Sequence, residues 1–263
     1  MFKRIIFALL YNKGEFYLSR NFRLQKVGNV DWLKNNFGFG ETCDFIDELI
    51  IINVTLNPTT DDFKRYFKDV KKLREKIFVP ITLGGGIRKL DNVKKCFENG
   101  ADKILINYLA HHGKSIFDKI ANIFGEQSIS IMADYKKNKK GELHTYINGG
   151  KIESKSLRKF IKSCINLKFG ELILNSIDND GTGSGLDLKC LNMIPNNFFK
   201  PVLLMGGAGK PEHFKSVLSH KKISGLITAN LFNFLGTGLK QARDFSIKNR
   251  IKLVKFNRIE GSA

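Results

Sequence analysis

The sequence predicts an α/β protein with a single domain, a (β/α)8 TIM barrel made of two homologous half-barrels. Three observations support this prediction: short β-branched runs alternate with amphipathic segments, there are eight such runs, and the motifs of the first half recur in the second. Barrels of this kind reach about 250 residues as one domain, so a chain of 263 residues needs no second one. We expect the barrel at 1–260, half-barrel repeats at about 1–125 and 126–260, and a cloning remnant at 261–263.

Eight short apolar runs predict the strands of the barrel. Eight parallel strands joined by right-handed crossovers close naturally into a barrel, whereas an open doubly wound sheet is the structural alternative. In chain order the runs lie at 4–9, 48–54, 79–85, 103–108, 128–134, 171–177, 201–207 and 224–230.

Amphipathic segments of helical period separate these runs. In the first of them, 60–76, Phe63, Phe67 and Val70 fall on one face, and Thr60 is placed to cap the amino end of the helix. The other predicted helices lie at 89–100, 114–125, 156–170, 210–220 and 238–249.

The two halves of the chain superimpose after a shift of about 121 to 124 residues. The shift places the run at 48–54 on that at 171–177, and the glycine-ended run at 79–85 on that at 201–207. An open sheet would not explain a four-strand unit used twice. A site in one half should therefore recur in the other.

The chain is strongly basic, with 44 Lys+Arg against 25 Asp+Glu and a formal net charge of +19. A nucleic-acid-binding protein would collect its basic residues in a stripe with aromatic side chains. Here the lysines are spread over most amphipathic segments, with one dense run at 136–142. We therefore expect a solvated basic surface that helps to capture a phosphorylated substrate, and no nucleic-acid partner.

Neither a membrane segment nor a metal site is predicted. No run approaches the roughly 20 consecutive apolar residues that span a bilayer, so we expect a cytoplasmic protein. The four cysteines lack C-x-x-C spacing and the histidines lack metal-like spacing, so we expect reduced thiols, no metal and no cofactor.

Glycine-rich turns end the third and seventh runs. Glycine at the carboxyl end of a strand lets backbone N–H groups approach a phosphate, and the helix that follows adds its positive end. The alternative is that these glycines only make tight turns. Two such turns at related positions favour two anion pockets, and hence a ligand with two phosphates. The residues that we expect to hold them are Gly85, Gly86, Asn107, Gly206, Gly207, Ala229 and Asn230.

Charged residues are predicted at both rims of the barrel. Asp134, Asp178 and Asp180 follow strands at the carboxyl-end rim, where such barrels carry their active sites. We expect Asp134 to act as an acid or base and Asp180 to contact substrate. For Asp178 and Asp180 the alternative is a role in a turn or a helix cap. At the opposite rim, Arg4, Glu48, Lys103 and Glu171 begin or precede strands, where charges normally indicate stability.

These motifs resemble the cyclase subunit family of imidazole glycerol phosphate synthase, the glutamine-dependent enzyme of histidine biosynthesis. The resemblance implies a glutaminase partner at the amino-end rim, whose ammonia passes along the barrel axis to the substrate. It also implies that Arg4, Glu48, Lys103 and Glu171 form an ammonia gate, and that Asp134 is one of two catalytic aspartates. The matching motifs lie at 3–6, 47–49, 84–87, 100–107, 124–128, 170–185 and 206–214.

The chain departs from this family at the reaction centre. Leu10 stands where the resemblance places the second catalytic aspartate, and leucine cannot transfer a proton. Leu18 replaces a lysine of the flexible loop at 16–22. Asn53 replaces an aspartate, Tyr108 a small residue and Asn175 a threonine.

The pair at 9–10 and the segment 21–35 resemble a branch of cyclase-like proteins from surface-glycan and flagellar-sugar gene clusters. Resemblance to that branch implies that the ammonia goes to a third subunit, an amidotransferase that converts an acetamido sugar to an acetamidino sugar. We expect an ammonia-conducting barrel of this type. The alternatives are a genuine cyclase that uses Asp178 or Asp180 in place of the missing acid, and a noncatalytic phosphate-binding scaffold.

Overall fold

A computed structural model of the protein describes residues 2–36, 44–75, 77–229 and 238–254. The strands are β1 (Arg4–Asn12), β2 (Glu15–Arg20), β3 (Arg23–Gly28), β4 (Glu48–Asn53), β5 (Ile81–Gly84), β6 (Lys103–Ile106), β7 (Ile129–Lys137), β8 (Leu143–Ile147), β9 (Ile152–Ser156), β10 (Glu171–Ser176), β11 (Val202–Met205) and β12 (Ile223–Thr228). The helices are α1 (Val30–Asn36), α2 (Thr60–Arg74), α3 (Leu90–Glu98), α4 (Tyr108–His112), α5 (Lys114–Phe124), α6 (Leu157–Cys164), α7 (Pro211–Leu218) and α8 (Gly238–Lys248). Short 3-10 turns cover Glu126–Ser128 and Leu188–Met193.

Eight of the strands form a closed parallel barrel, in the order β1, β4, β5, β6, β7, β10, β11 and β12. The ring closes where β12 pairs with β1, with Ile6 opposite Ile227. Helices follow most of the strands along the chain. The predicted (β/α)8 barrel is confirmed, and the open-sheet alternative is wrong.

The barrel strands are placed as predicted, with different ends. The third barrel strand begins at Ile81 rather than 79, and the seventh begins at Val202 rather than 201. A proline precedes each start, and proline has no N–H with which to join a strand ladder. The third strand stops before Gly85, whose φ of 90° belongs to the left-handed region.

Two antiparallel hairpins extend the barrel and were missed at the sequence level. β2 pairs with β1 and β3 with β2, while β8 pairs with β7 and β9 with β8. The segment at 16–22, expected as a loop, instead makes most of β2 and the turn that follows it. The basic run at 136–142 ends β7 and turns into β8.

The amino end of α2 lies one residue earlier than predicted. Thr59, not Thr60, is the cap: its side chain accepts from the Asp62 N–H, and the Asp62 side chain accepts from the Thr59 N–H. Thr59 has an extended backbone, whereas Thr60 is already helical, so only Thr59 can aim its hydroxyl at the free N–H groups.

Apolar residues fill two regions, one between the helices and the barrel and one inside the barrel. The inner cluster contains Ile6, Ala8, Ile50, Leu105, Met132, Ile173, Leu203, Met205 and Ile227. The barrel is therefore a packed core, and a ligand has room only near its ends. Among the described residues, no helix is long and apolar enough to cross a membrane.

Candidate active site at the carboxyl end of the barrel

A cavity of about 380 Å³ opens at the carboxyl ends of the strands. Its apolar floor is made by side chains of the barrel interior, among them Leu105, Met132 and Met205. Four polar side chains reach the same cavity, three of them from β4, β7 and β10 and one from the residue after β6: Asn53, Asp134, Asn175 and Asn107. The parallel topology brings these groups together because every barrel strand ends at this rim.

Asp134 is held between two amide groups. Asn107 Nδ2 donates to Asp134 Oδ2 at 2.7 Å, and Asn175 Nδ2 donates to Asp134 Oδ1 at 2.7 Å. Asn175 lies directly opposite Asp134 in the pairing of β10 with β7. Burial raises the pKa of Asp134 to about 6, against the effect of the two amide donors and with a further increase from Asp180. A carboxyl group with this pKa can accept or donate a proton near neutral pH.

The amides around Asp134 have polar atoms left over. Within the described residues, Asn53 Nδ2, Asn107 Oδ1 and Asn175 Oδ1 are buried without a hydrogen-bond partner. Unpaired buried polar atoms are costly, and cavities that bind ligands are where they are tolerated. These three atoms supply one donor and two acceptors for a ligand.

Leu10 occupies the cavity wall at the end of β1. Its side chain is 7% exposed and is one of the cavity-lining residues. Leu10 therefore contributes hydrocarbon to the cavity wall, on a strand that lies across the ring from β7, which carries Asp134. Leu18 lies on β2, paired with Gln25, and does not line the cavity.

Asp180 lines the cavity but already holds the hairpin β2–β3. Its Oδ2 atom accepts from the Ser19 hydroxyl at 2.5 Å and from the Phe22 N–H at 3.1 Å. Burial raises its pKa, and these two donors act in the opposite direction. Asp178 is exposed and accepts from the Lys137 N–H, which fits the turn-stabilising alternative.

The glycine turns have tight backbone contacts of their own. A Cβ atom on Gly85 would lie 1.9 Å from the carbonyl oxygen of Asn53, and one on Gly207 would lie 2.1 Å from that of Gly185. Gly86 and Gly206 also have positive φ, at 70° and 96°. Packing alone thus explains why glycine is required at these turns.

The two predicted phosphate pockets differ in the structure. Gly85, Gly86 and Asn107 line the cavity. In the second half, Gly206, Gly207 and Ala229 lie at the equivalent ends of β11 and β12, and the cavity formed by the described residues does not include them. Asn230 lies outside the described residues.

Four charged residues meet at the amino end of the barrel. Arg4 contacts Glu48 at 2.5 Å and Glu171 at 2.7 Å, and Lys103 contacts the same two carboxylates at 2.9 and 3.3 Å. Burial opposes ionisation of Glu171, but Arg4, Lys103 and the Ser130 hydroxyl outweigh it and lower its pKa. The four side chains form an alternating ring of charge. The strand pattern had placed them only at the same rim, and the resemblance alone had implied that they act together.

Comparisons with known proteins agree with these features. A family described as histidine biosynthesis protein matches residues 44–237. The chain is 41% identical to a protein of Parasynechococcus marenigrum (strain WH8102) assigned as imidazole glycerol phosphate synthase subunit hisF2, covering 92% of this chain and 89% of the relative. It is 32% identical to imidazole glycerol phosphate synthase subunit HisF of Streptococcus sanguinis (strain SK36), covering 88% and 90% of the two chains. The identity to HisF of Hydrogenobaculum sp. (strain Y04AAS1) is also 32%, covering 95% and 97%.

The resemblance that the motifs predicted is therefore confirmed. With its closed eight-stranded barrel and its similarity to HisF along nearly the whole chain, the protein belongs to the HisF-type cyclase subunits of the histidine biosynthesis protein family.

Proposed function

We propose that the chain is the barrel subunit of a glutamine-dependent amidotransferase that has diverged from imidazole glycerol phosphate synthesis toward amidination of a surface-glycan sugar. It receives ammonia from a glutaminase partner and holds a phosphorylated ligand at the carboxyl-end rim. One observation carries the proposal: the charged ring of Arg4, Glu48, Lys103 and Glu171 is complete, while Leu10 faces the cavity in place of a second acid.

The charged ring supports an ammonia entry. It lies at the amino ends of β1, β4, β6 and β10, where the barrel axis meets that rim. Ammonia is small and neutral, and a ring of four paired charges excludes ions more strongly than it excludes such a molecule. Each ion in the ring loses hydration, which costs folding free energy. A barrel that served only as a scaffold would have no need of these charges.

Exposed phenylalanines on the same rim support a partner there. Phe2, Phe78 and Phe199 precede β1, β5 and β11, and they are 59%, 95% and 88% exposed. Exposed aromatic side chains are typical of protein interfaces. A glutaminase docked on these residues would place its product at the charged ring.

The phosphate sites of the proposal are Gly85, Gly86 and Asn107 in the first half, and Gly206, Gly207, Ala229 and Asn230 in the second, with Asp180 beside the ligand. Asp134 is the one catalytic carboxyl that the proposal retains. Losing a positioned acid or base slows a reaction by on the order of 10²- to 10⁴-fold, so Leu10 argues against efficient cyclisation.

The test supplies the purified protein with ammonia and the phosphoribosyl-formimino substrate of the histidine pathway. We expect turnover to be slow, and Leu10→Asp to raise it by on the order of 10²-fold or more. Asp134→Asn in the Leu10→Asp background should abolish the gain. Rapid turnover by the unchanged chain would contradict the proposal and favour a genuine cyclase in which Asp178 or Asp180 supplies the second acid.

A further inference from the structure

Arg88 is an exposed residue that lines the cavity, two positions after the Gly85–Gly86 turn. Its Nη2 atom donates to Asn148 Oδ1 at 3.0 Å and is 3.4 Å from Asn57 Oδ1. The guanidinium carbon lies 4.4 Å from the centre of the Tyr108 ring. Groups from the loop after β4, from the β8–β9 turn and from α4 thus fix one side chain in one place.

The contacts that fix Arg88 leave its charge unpaired. Within the described residues it has no carboxylate partner, whereas Arg4 contacts two carboxylates and Arg243 contacts one. A guanidinium carries five N–H groups, and both side-chain hydrogen bonds described for Arg88 come from Nη2. Its Nε and Nη1 donors therefore stay available to a ligand.

Lys151 adds a second positive charge to the same cavity wall. It follows the turn that contains Asn148 and has no ion-pair partner among the described residues. The two carboxylates that line the cavity have other hydrogen-bond partners: Asp134 accepts from two amides, and Asp180 accepts from the hairpin. The lip of the cavity beside the glycine turn is therefore positive.

We propose that Arg88 and Lys151 bind the anionic end of the ligand, a phosphate monoester whose oxygens also reach the Gly85–Gly86 turn. The planar fork of arginine matches two phosphate oxygens at once, and a side chain that is already ordered loses little entropy when the ligand arrives. Asn148 and Tyr108 act as positioning residues for Arg88. The inference rests on the proposed phosphate site at this turn and adds the residues that select a dianion.

The experiment titrates the full-length protein with inorganic phosphate at constant ionic strength and measures Kd by phosphorus NMR and calorimetry. Arg88→Met should weaken binding about tenfold, and Arg88→Lys about threefold, because lysine keeps the charge and loses the fork. Asn148→Gly keeps the left-handed backbone of that turn and removes the tether, so it should weaken binding about threefold. Arg158→Met is the matched control, because Arg158 is an exposed arginine on α6 whose contact is the Asn192 carbonyl.

The outcomes separate this inference from the function on which it rests. If Arg88→Met and Arg158→Met weaken phosphate binding equally, Arg88 acts only through the overall surface charge. That result would overturn this inference and leave the proposed function standing. Unchanged affinity in Asn148→Gly would overturn the positioning role. No phosphate binding by the unchanged protein would overturn both the inference and the phosphate sites of the proposed function.

Discussion

Two opposing effects, burial and hydrogen bonding, act on the pKa of Asp134. Its environment is buried, which favours the neutral acid, yet two amides donate to its oxygens and favour the carboxylate. The compromise is a pKa of about 6. A residue poised in this way is suited to handling protons near neutral pH, whichever reaction the cavity supports.

Replacing Asn175 with leucine should raise the pKa of Asp134 further, because one donor to the carboxylate is lost while burial stays. A carboxyl whose pKa is raised on folding contributes stability below its unfolded pKa and loses it as the pH rises through its folded pKa. The stability difference between Asn175→Leu and the unchanged protein should therefore stay constant below about pH 5, where Asp134 is protonated in both folded proteins, and grow as the pH rises above about 6, the folded pKa of the unchanged protein. Urea unfolding at several pH values measures it.

The control for this prediction removes the titrating group. In an Asp134→Asn background the same Asn175→Leu change should show no pH dependence over that range. A pH-independent difference in both backgrounds would mean that Asn175 contributes only packing.

At the level of elements, the hairpin β2–β3 is bound to the loop after β10 at its tip. Asn21 and Phe22 have φ of 51° and 63° and form the tip, and Asp180 accepts from both Ser19 and Phe22. A Cβ on Gly181 would lie 2.0 Å from the Ser19 carbonyl oxygen, so glycine allows this approach. The hairpin therefore connects the end of β1 to the loop after β10, beside the cavity that Ser19 and Phe22 line.

Ser19→Ala should loosen this hairpin without affecting the barrel. A hydrogen bond to a charged group contributes about 1.5 to 3 kcal/mol, so amides of 16–24 should exchange with solvent about tenfold faster or more. Hydrogen exchange followed by mass spectrometry measures this rate. Ser163→Ala is the matched control, because that hydroxyl donates to the Phe160 carbonyl on α6, away from the hairpin. Equal exchange in the two variants would show that Asp180 does not hold the tip.

The start of α2 offers a second test at this scale. Thr59→Ala should lower the free energy of unfolding by about 1 kcal/mol, because it removes an acceptor for a free N–H at the helix end. Thr60→Ala, one residue later and equally exposed, should change it by less than about 0.5 kcal/mol. Urea unfolding of both variants decides which threonine is the cap, and the reverse ranking would contradict the structure.

Across the whole molecule, the two ends of the barrel have different surfaces. The carboxyl end carries the cavity, its amides and the hairpins, while the amino end carries the charged ring and the exposed phenylalanines. Such a division fits a subunit that receives a small molecule at one end and uses it at the other.

Phe78→Ser together with Phe199→Ser should weaken binding of the glutaminase partner by at least about 100-fold, since aromatic anchors contribute about 2 kcal/mol or more each at interface centres. Calorimetry of the reconstituted pair measures the loss. Ile247→Ser, a change on the exposed face of α8, is the control and should leave affinity within about twofold. Unchanged affinity in the double variant would exclude this rim as the docking surface.

Repetition and short-range pattern were sufficient to predict the barrel, since each barrel strand is an apolar run and the sequence motifs of the first half of the chain recur in the second. The glycine turns and rim charges were also evident, because their positions at strand ends follow from the strand pattern alone. The hairpins were not evident from the sequence, because β3 is largely exposed and has no alternation of apolar and polar residues.

The arrangement of the site depended on folding. Asn107 and Asn175 are 27 and 41 residues from Asp134, and Arg88 is 60 residues from Asn148. No local pattern indicates which amide of a chain will face a given carboxylate. Barrel closure makes these pairs neighbours, and the resulting burial and hydrogen bonds set the pKa of Asp134 and the direction of Arg88.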